Sequence, residues 1–407
     1  MLKKLFGMSG ALALAQLINF VAISYGSKIF GAEDFGKYSY VNSLSLAMSV
    51  VFYLRSDNLI LLEQEGAISE IVNAINKFSK ILILTLFLSA SVFLFNFNDV
   101  EMLHLTILGF VLAYFNSKFI VYGAILIRDD KILEYGITGV VKPIIMIIGQ
   151  YFISVFPKLL YPMVIVRVLS ELITSIFRRL NVNITKTEKI NLKRFIVDRK
   201  DYLLYGTAAS LLNSVSQQLP MLILPFKYGY SSLAYFSLAF SLTIAPITLI
   251  FSPLRNLLLK KISNISNREE FIIKNTAVLV VPTLLLILSF YSFSGYLIDF
   301  VWGHEWHETG KYMQWIIFWV ASGLLSSPAY CYIIFSAKQK CLIHIENLFL
   351  ILKCVFIFFV LNFNIRLDDA IIFFIVLGVL YNLVVVLYSF NLIRIIKKFK
   401  IDGEKSS

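Results

Sequence analysis

Lys28-Ile29-Phe30-Gly31-Ala32-Glu33-Asp34-Phe35-Gly36-Lys37-Tyr38 interrupts two long apolar runs, and the second run ends at Leu54-Arg55-Ser56-Asp57, shortly before Glu63. A glycine-punctuated turn of about six residues does not fold alone, so the segments flanking it must be antiparallel neighbours. Both are too apolar and too long for a soluble hairpin. The rest of the chain repeats this device.

Composition sets the same bound. Of 407 residues, 58% are hydrophobic and only 15% charged, with 36 Phe and a mean hydropathy of +0.78. A soluble domain carries roughly 25% charged and 45–50% apolar residues. Windows of about 20 residues with few or no charges recur along the whole length, which is the signal of transmembrane helices. An outer-membrane barrel would show weak alternating segments of about 10 residues instead. The reading is an all-α, polytopic membrane protein. The run after Lys3-Lys4 resembles a signal peptide but continues to Ile29 without a clear small-x-small site, and so reads as a span. Cys331, Cys341 and Cys354 lie in or beside apolar runs without metal-ligand spacing, as small buried hydrophobes do.

Twelve spans are predicted: 8–30, 38–54, 81–97, 103–127, 135–156, 159–177, 202–226, 231–251, 272–293, 312–335, 342–361 and 370–393. The longest connection, 178–201, is polar and basic, with Arg178, Arg179, Lys186, Lys189, Lys193, Arg194, Arg199 and Lys200. The expected division is a first six-helix lobe over 1–180, a cytoplasmic basic linker over 181–201, a second six-helix lobe over 202–400 and a cytoplasmic tail over 401–407. With both termini cytoplasmic, the inner segments hold about 27 of the 37 Lys and Arg and the outer loops about six. The net charge of +12 is thus explained by orientation in the membrane and needs no nucleic-acid partner.

The halves resemble each other. A shift of 198 residues lays Gly31 on Gly229, Gly36 on Ala234, Tyr38 on Phe236, Ser39 on Ser237, Ser43 on Ser241 and Leu44 on Leu242. Six spans separate the matched turns, so both halves enter the membrane in the same direction, as parallel repeats. Phe35-Gly36-Lys37-Tyr38 is echoed again by Thr309-Gly310-Lys311-Tyr312. Pro220, Pro225, Pro246, Pro253, Pro282 and Pro328 make the second half the expected bending element.

Charges inside the spans carry the chemistry. Lys118, Lys142, Arg167 and Lys353 fall in the hydrocarbon region with one carboxylate, Glu171. A charge at mid-bilayer costs at least about 2.5–3.5 kcal/mol, so each should face the bundle interior or a wet cavity. Lys142 also has the option of snorkelling to the interface. Arg167 and Glu171, spaced i,i+4, suit an ion pair on one helix face; in a sharper reading Glu171 exchanges a proton or sodium ion. Several cations against one acid favour an anionic substrate, and Arg55 and Arg255 extend that field toward the cytoplasmic entrance. Asn213, Ser214, Gln217 and Gln218 add uncharged polar groups suited to sugar hydroxyls or to helix–helix bonding.

No G-x-x-x-x-G-K-[ST] motif occurs, so nucleotide hydrolysis by a P-loop is excluded. His304-Glu305-Trp306-His307-Glu308 is not H-E-x-x-H, and no metal or other cofactor is expected there. Asp129-Asp130 beside Arg128 and Lys131 reads as a solvated turn.

Three segments carry a family resemblance. The first is Ala15-Gln16, Phe30 through Tyr38, and Leu54-Arg55-Ser56-Asp57. The second is Leu211-Leu212-Asn213-Ser214, Gln218-Leu219-Pro220, Tyr235 through Ala239, and Ala245-Pro246. The third is Val301 through Trp306 with Gly310-Lys311-Tyr312. In order and spacing these resemble the Wzx-type polysaccharide flippases of the multidrug/oligosaccharidyl-lipid/polysaccharide exporter superfamily. Ser56, where an aromatic is expected, and Lys227-Tyr228-Gly229, in place of a more apolar turn, depart from the pattern.

The resemblance implies two six-helix lobes around a central cavity and alternating access driven by an ion gradient. It implies an undecaprenyl-diphosphate-linked oligosaccharide as cargo, in a bacterial inner membrane. The expected partners are that lipid-linked substrate, membrane lipid, and a polysaccharide polymerase with its chain-length machinery. The rival readings are a multidrug or cation exporter, which wants acids in its cavity, and a membrane glycan polymerase or glycosyltransferase. The latter generally needs catalytic carboxylates or a sizeable outer loop, and the outer loops here are only about 5–18 residues.

Overall fold

The computed structural model describes residues 2–63, 65–94, 100–156, 159–184, 192–199, 203, 206–262, 268–335 and 339–405. These form α1 (Leu2–Tyr53), α2 (Ser56–Leu62), α3 (Glu65–Leu94), α4 (Val100–Arg128), α5 (Ile132–Ser154), α6 (Pro162–Leu180), α7 (Leu192–Asp198), α8 (Gly206–Ile262), α9 (Arg268–Trp302), a 3₁₀ turn (His304–Trp306), α10 (His307–Phe335), α11 (Gln339–Asn362) and α12 (Leu367–Lys405). No strand occurs among the described residues. The protein is an all-α, polytopic membrane protein.

Nine helices among the described residues are long and apolar enough to cross a membrane. Two of them, over Ala13–Tyr53 and Gly206–Ile247, have 41 and 42 residues. At 1.5 Å per residue each is about 60 Å long, twice a hydrocarbon core of about 30 Å. Each contains one non-helical residue: Gly31 (φ 76°, ψ −179°) in α1 and Gly229 (φ 81°, ψ 168°) in α8. Splitting both there and adding α6, whose four charged side chains lower its hydropathy, gives the twelve crossings expected.

Packing proves that the chain reverses at Gly31. The first stretch of α1 runs parallel to α5, since Gly139 faces Ala15 and Gly26 faces Gln150. Helix α5 is antiparallel to α6: Gly149 faces Val166, Lys142 pairs with Glu171, and Thr138 accepts from Arg178. Helix α6 is parallel to α4, because His104 meets Tyr161 and Phe119 meets Arg178. Helix α4 is parallel to the second stretch of α1, through Lys37–Glu101, Tyr40–Thr106 and Phe52–Tyr114. The two stretches of α1 therefore run in opposite directions. Only a residue tolerant of positive φ permits this in one step.

The chain packs as two compact units, Met1–Ala234 and Tyr235–Ser407. The first stretch of α8 belongs to the first unit, antiparallel to α1: Ser214 Oγ donates to the Leu46 carbonyl (3.1 Å), and Ser43 Oγ lies 3.1 Å from Met221 Sδ. The unit boundary thus lies within α8, beyond the basic linker. Part of that linker is itself packed. Val182 and Phe195 join a buried cluster with Tyr53, Ile60, Ile71, Ile75 and Ile125, and Arg199 reaches Glu63 at 3.5 Å. Lys186, Lys189 and Lys200 lie outside the described residues.

Within the second unit, α10 and α12 are parallel (Lys311–Asp368, Ser326–Asn382) and α11 is antiparallel to α12 (Phe356 on Phe373, Phe349 on Tyr381). That order matches α4, α6 and α5 in the first unit. Helix α9 exposes Leu284, Leu285 and Leu288, as an apolar helix facing lipid does.

Gly36 marks a close crossing in the first unit, because a Cβ there would overlap the Tyr230 carbonyl oxygen. Gly36→Ala should therefore cost about 1–3 kcal/mol, the usual range for overpacking. Thermal unfolding of the detergent-solubilised protein checks it. Gly10→Ala, with no atom within 4 Å of the added carbon, should melt with the wild type.

Candidate functional site

Arg167, Glu171, Thr174 and Arg178 recur at i, i+4, i+7 and i+11 along α6, which puts them on one face of the helix. That face turns inward, with Glu171 wholly buried and Arg178 nearly so. Tyr135, Thr138 and Lys142 form the matching stripe on α5. Phe119 and Gly123 supply it on α4, and Tyr38 and Asn42 on α1.

Glu171 is held from two helices. Lys142 Nζ lies 2.6 Å from its Oε2 and Arg167 Nη1 3.1 Å from the same oxygen. Arg167 Nε also reaches Asn42 Oδ1 at 3.4 Å. The i,i+4 pair expected within α6 forms, but the shorter contact comes from α5, so Lys142 turns into the bundle and does not snorkel. Its ammonium sits 4.5 Å from the Phe119 ring centroid.

Arg178 completes the group, although by position it reads as part of the basic linker. Its Nε donates to Thr138 Oγ1 (2.8 Å), Nη1 to the Phe119 carbonyl (2.6 Å) and Nη2 to the Tyr135 carbonyl (3.4 Å). The guanidinium carbon lies 3.4 Å from the Phe119 ring centroid. Gly123 makes room for it, since a Cβ there would overlap Nη1. These bonds commit Arg178 to holding α4, α5 and α6 together. The seven-residue spacing from Glu171 to Arg178 is the signal in the sequence that would have marked it.

Lys142 and Arg167 differ from Arg178 in keeping part of their surface accessible, 17% and 12% of the side chain. An ammonium carries three donors and a guanidinium five, more than the contacts above use. Three cations around one carboxylate leave an excess of positive charge. The arrangement can receive an anion at Lys142 and Arg167 while Glu171 acts as their counter-ion.

The other expected residues have surroundings of their own. Lys118 is buried between α4 and α3, bonded to Asn76 Oδ1 and Ser79 Oγ, both at 2.6 Å, and 4.8 Å from the Tyr114 ring centroid. It faces α3, whereas its neighbour Phe119 faces α5 and α6. Lys353 is buried in the second unit, 5.8 Å from the Trp319 ring centroid. Beside that ring, Asn382 donates to Ser322 Oγ (2.8 Å) and accepts from Ser326 Oγ (3.2 Å), a polar knot the charge pattern does not announce. Gln217 is exposed and donates to Asn213 Oδ1 (2.7 Å), while Gln218 is half-buried on the same stretch of α8. Arg55 occupies the left-handed turn between α1 and α2, 4.0 Å from Asp57. The Arg255 side chain lies outside the described residues.

A family model described as polysaccharide biosynthesis protein matches residues 63–311, more than half of the chain. The chain belongs to that family. No curated protein matches it in sequence. Among solved structures, it is similar to the lipid II flippase MurJ in an inward closed conformation (15% identity, TM-score 0.71, covering 95% of this chain and 92% of that one). It is also similar to an inward-facing multidrug resistance MATE family transporter of the MOP superfamily (14% identity, TM-score 0.69, covering 94% and 96%). At such identities the likeness is one of fold; one of those proteins is a flippase and the other a transporter.

Removing one partner from a buried ion pair leaves an uncompensated charge and typically costs about 3–5 kcal/mol. Glu171→Gln should lose stability of that order, read as a lowered melting temperature. Glu171→Gln combined with Lys142→Met should recover more than half of the loss. If Glu171→Gln melts with the wild type, the buried pair contributes nothing to the fold.

Proposed function

We propose that this polysaccharide biosynthesis protein is a flippase. It would carry an undecaprenyl-diphosphate-linked oligosaccharide from the cytoplasmic to the outer leaflet of a bacterial inner membrane. One observation carries the reading: Lys142 and Arg167, both partly accessible, share one buried carboxylate, on segments the sequence predicts to span the membrane. A diphosphate offers the oxygens that a guanidinium fork and an ammonium bind well.

In the proposed cycle the diphosphate takes donors of Lys142 and Arg167 that Glu171 does not occupy. Asn42 and, on α8, Asn213, Gln217 and Gln218 offer amides to the sugars, and the lipid tail stays in the bilayer. Arg55 and Arg255 raise the local anion concentration at the cytoplasmic entrance. Lys118 and Lys353 would add positive field. Glu171 is the proposed coupling site: a proton or sodium ion bound there would release both cations to the substrate. Without it they stay paired and the carrier resets. The excess of basic residues in alternate loops supports cytoplasmic termini. A polymerase and its chain-length machinery would consume the product on the outer side.

The MATE-like fold supports a second reading, a multidrug exporter. The charge of the site argues against organic cations as cargo, since the cations around Glu171 would repel them.

The test is reconstitution into proteoliposomes with a fluorescent undecaprenyl-diphosphate oligosaccharide, read as loss of accessibility to a membrane-impermeant quencher. The wild type should move it. The triple variant Lys142→Met/Arg167→Met/Glu171→Gln, which removes the cations without stranding the acid, should lose at least about tenfold in rate while eluting as folded protein. Extrusion of a cationic dye with no movement of the lipid-linked sugar would overturn the reading.

A further inference from the structure

We propose that the corner joining α9 to α10 is a divalent transition-metal site, with zinc the ion its donors suit best, formed by Asp299, His304 and His307. Two of the four histidines in the chain lie in this one turn. Their spacing matches no zinc motif, because the third ligand comes from the preceding helix. Asp299 sits in the last turn of α9, His304 in the 3₁₀ turn, and His307 opens α10. Their ligand atoms all lie within 4.8 Å of one another.

The separations suit one small ion. His307 Nδ1 is 3.1 and 3.0 Å from the two Asp299 oxygens, and His304 Nδ1 is 3.7 Å from Oδ1. Tetrahedral zinc with bonds of about 2.0–2.1 Å spaces its ligands by about 3.3–3.4 Å, between those values. Two imidazoles and a carboxylate are the donor set that zinc and its neighbours in the first row prefer over calcium or magnesium. A fourth position stays open to water. Glu308 lies close by in sequence but is engaged by Lys311 at 3.3 Å.

The frame beneath the ligands is fixed. Gly303 adopts φ 89°, its N–H donates to the Asp299 carbonyl (3.1 Å), and its own carbonyl accepts from Trp306 (3.1 Å). Trp306 is buried and packs edge-on against Tyr235 at 5.5 Å. Gly310 presses against Gly295, where an added Cβ would stand 2.7 Å from its Cα. The backbone of the corner is thus anchored on its inner side, while His304 and His307 are exposed. A metal bound here would staple the end of α9 to the start of α10.

The experiment uses the full chain purified on a tag without histidine and stripped of metal. Zinc is titrated in competition with a chromophoric chelator, and cobalt is added separately to read the visible absorption of a tetrahedral site. One equivalent of zinc should bind and raise the melting temperature. Asp299→Asn, His304→Ala and His307→Ala should each weaken binding by at least about tenfold, the lower end of what loss of even an outer-shell partner costs. His104→Ala and His344→Ala, both at exposed positions outside the turn, should bind as the wild type does. Melting of the metal-free variants controls for folding. Absence of zinc binding, or binding that survives His304→Ala/His307→Ala, overturns the proposal and leaves Asp299 as a hydrogen-bond partner of His307 only.

Discussion

A carboxylate cannot lie in an apolar bundle without compensation, and the first unit is arranged around meeting that demand for Glu171. Its side chain is wholly buried, and the compensating charges come from one helical turn away on α6 and from α5. That requirement settles the rotation of both helices about their axes. Once α6 turns Glu171 inward, Arg178 follows two turns later on the same face. It must then find acceptors on α4 and α5, which it does at Thr138, Phe119 and Tyr135. Gly123 exists on α4 because that guanidinium needs the volume of a side chain. Polar satisfaction and helix packing are here a single constraint.

The amount of this visible in the sequence differs by level. The spans were legible because twenty apolar residues in a row have few alternatives. The hairpin at Gly31 was legible because a turn so short dictates its own neighbours. The pairing of Arg167 with Glu171 was legible because i,i+4 is a property of one helix. Which helix supplies the second cation was not. Lys142 and Lys118 look alike as lone lysines in apolar runs, yet one meets a carboxylate and the other an amide and a hydroxyl. That difference is decided by what faces them across the bundle, and one sequence carries no record of it.

Position along the chain misled in two places for the same reason. Arg178 reads as the first residue of a basic connection, and residues 192–199 read as linker. In the structure the guanidinium is interior, and Phe195 is core. A run of like charges suggests solvent, but each arginine carries a stem and a planar face that pack well. Stacking on Phe119 makes the interior habitable for Arg178. The helical stripe that begins at Arg167 was a better guide than the local density of charge.

The Gly-Lys-Tyr echo shows how a short motif serves two packing tasks together. At Gly36-Lys37-Tyr38 the glycine admits the Tyr230 backbone, and Lys37 reaches Glu33 at 2.6 Å and Glu101 at 2.7 Å. At Gly310-Lys311-Tyr312 the glycine admits Gly295, and Lys311 reaches Asp368 at 2.6 Å and Glu308 at 3.3 Å. In each unit the small residue lets two backbones touch, and the lysine beside it ties its helix to the start of another, α4 in the first and α12 in the second. Close approach without a cross-helix ion pair would leave the helices free to slide. An ion pair on well-separated helices would be a solvated contact of little worth. Joined in consecutive residues, the two effects pin helix ends where the chain re-enters the membrane, so the pattern recurs at helix starts and not at mid-span.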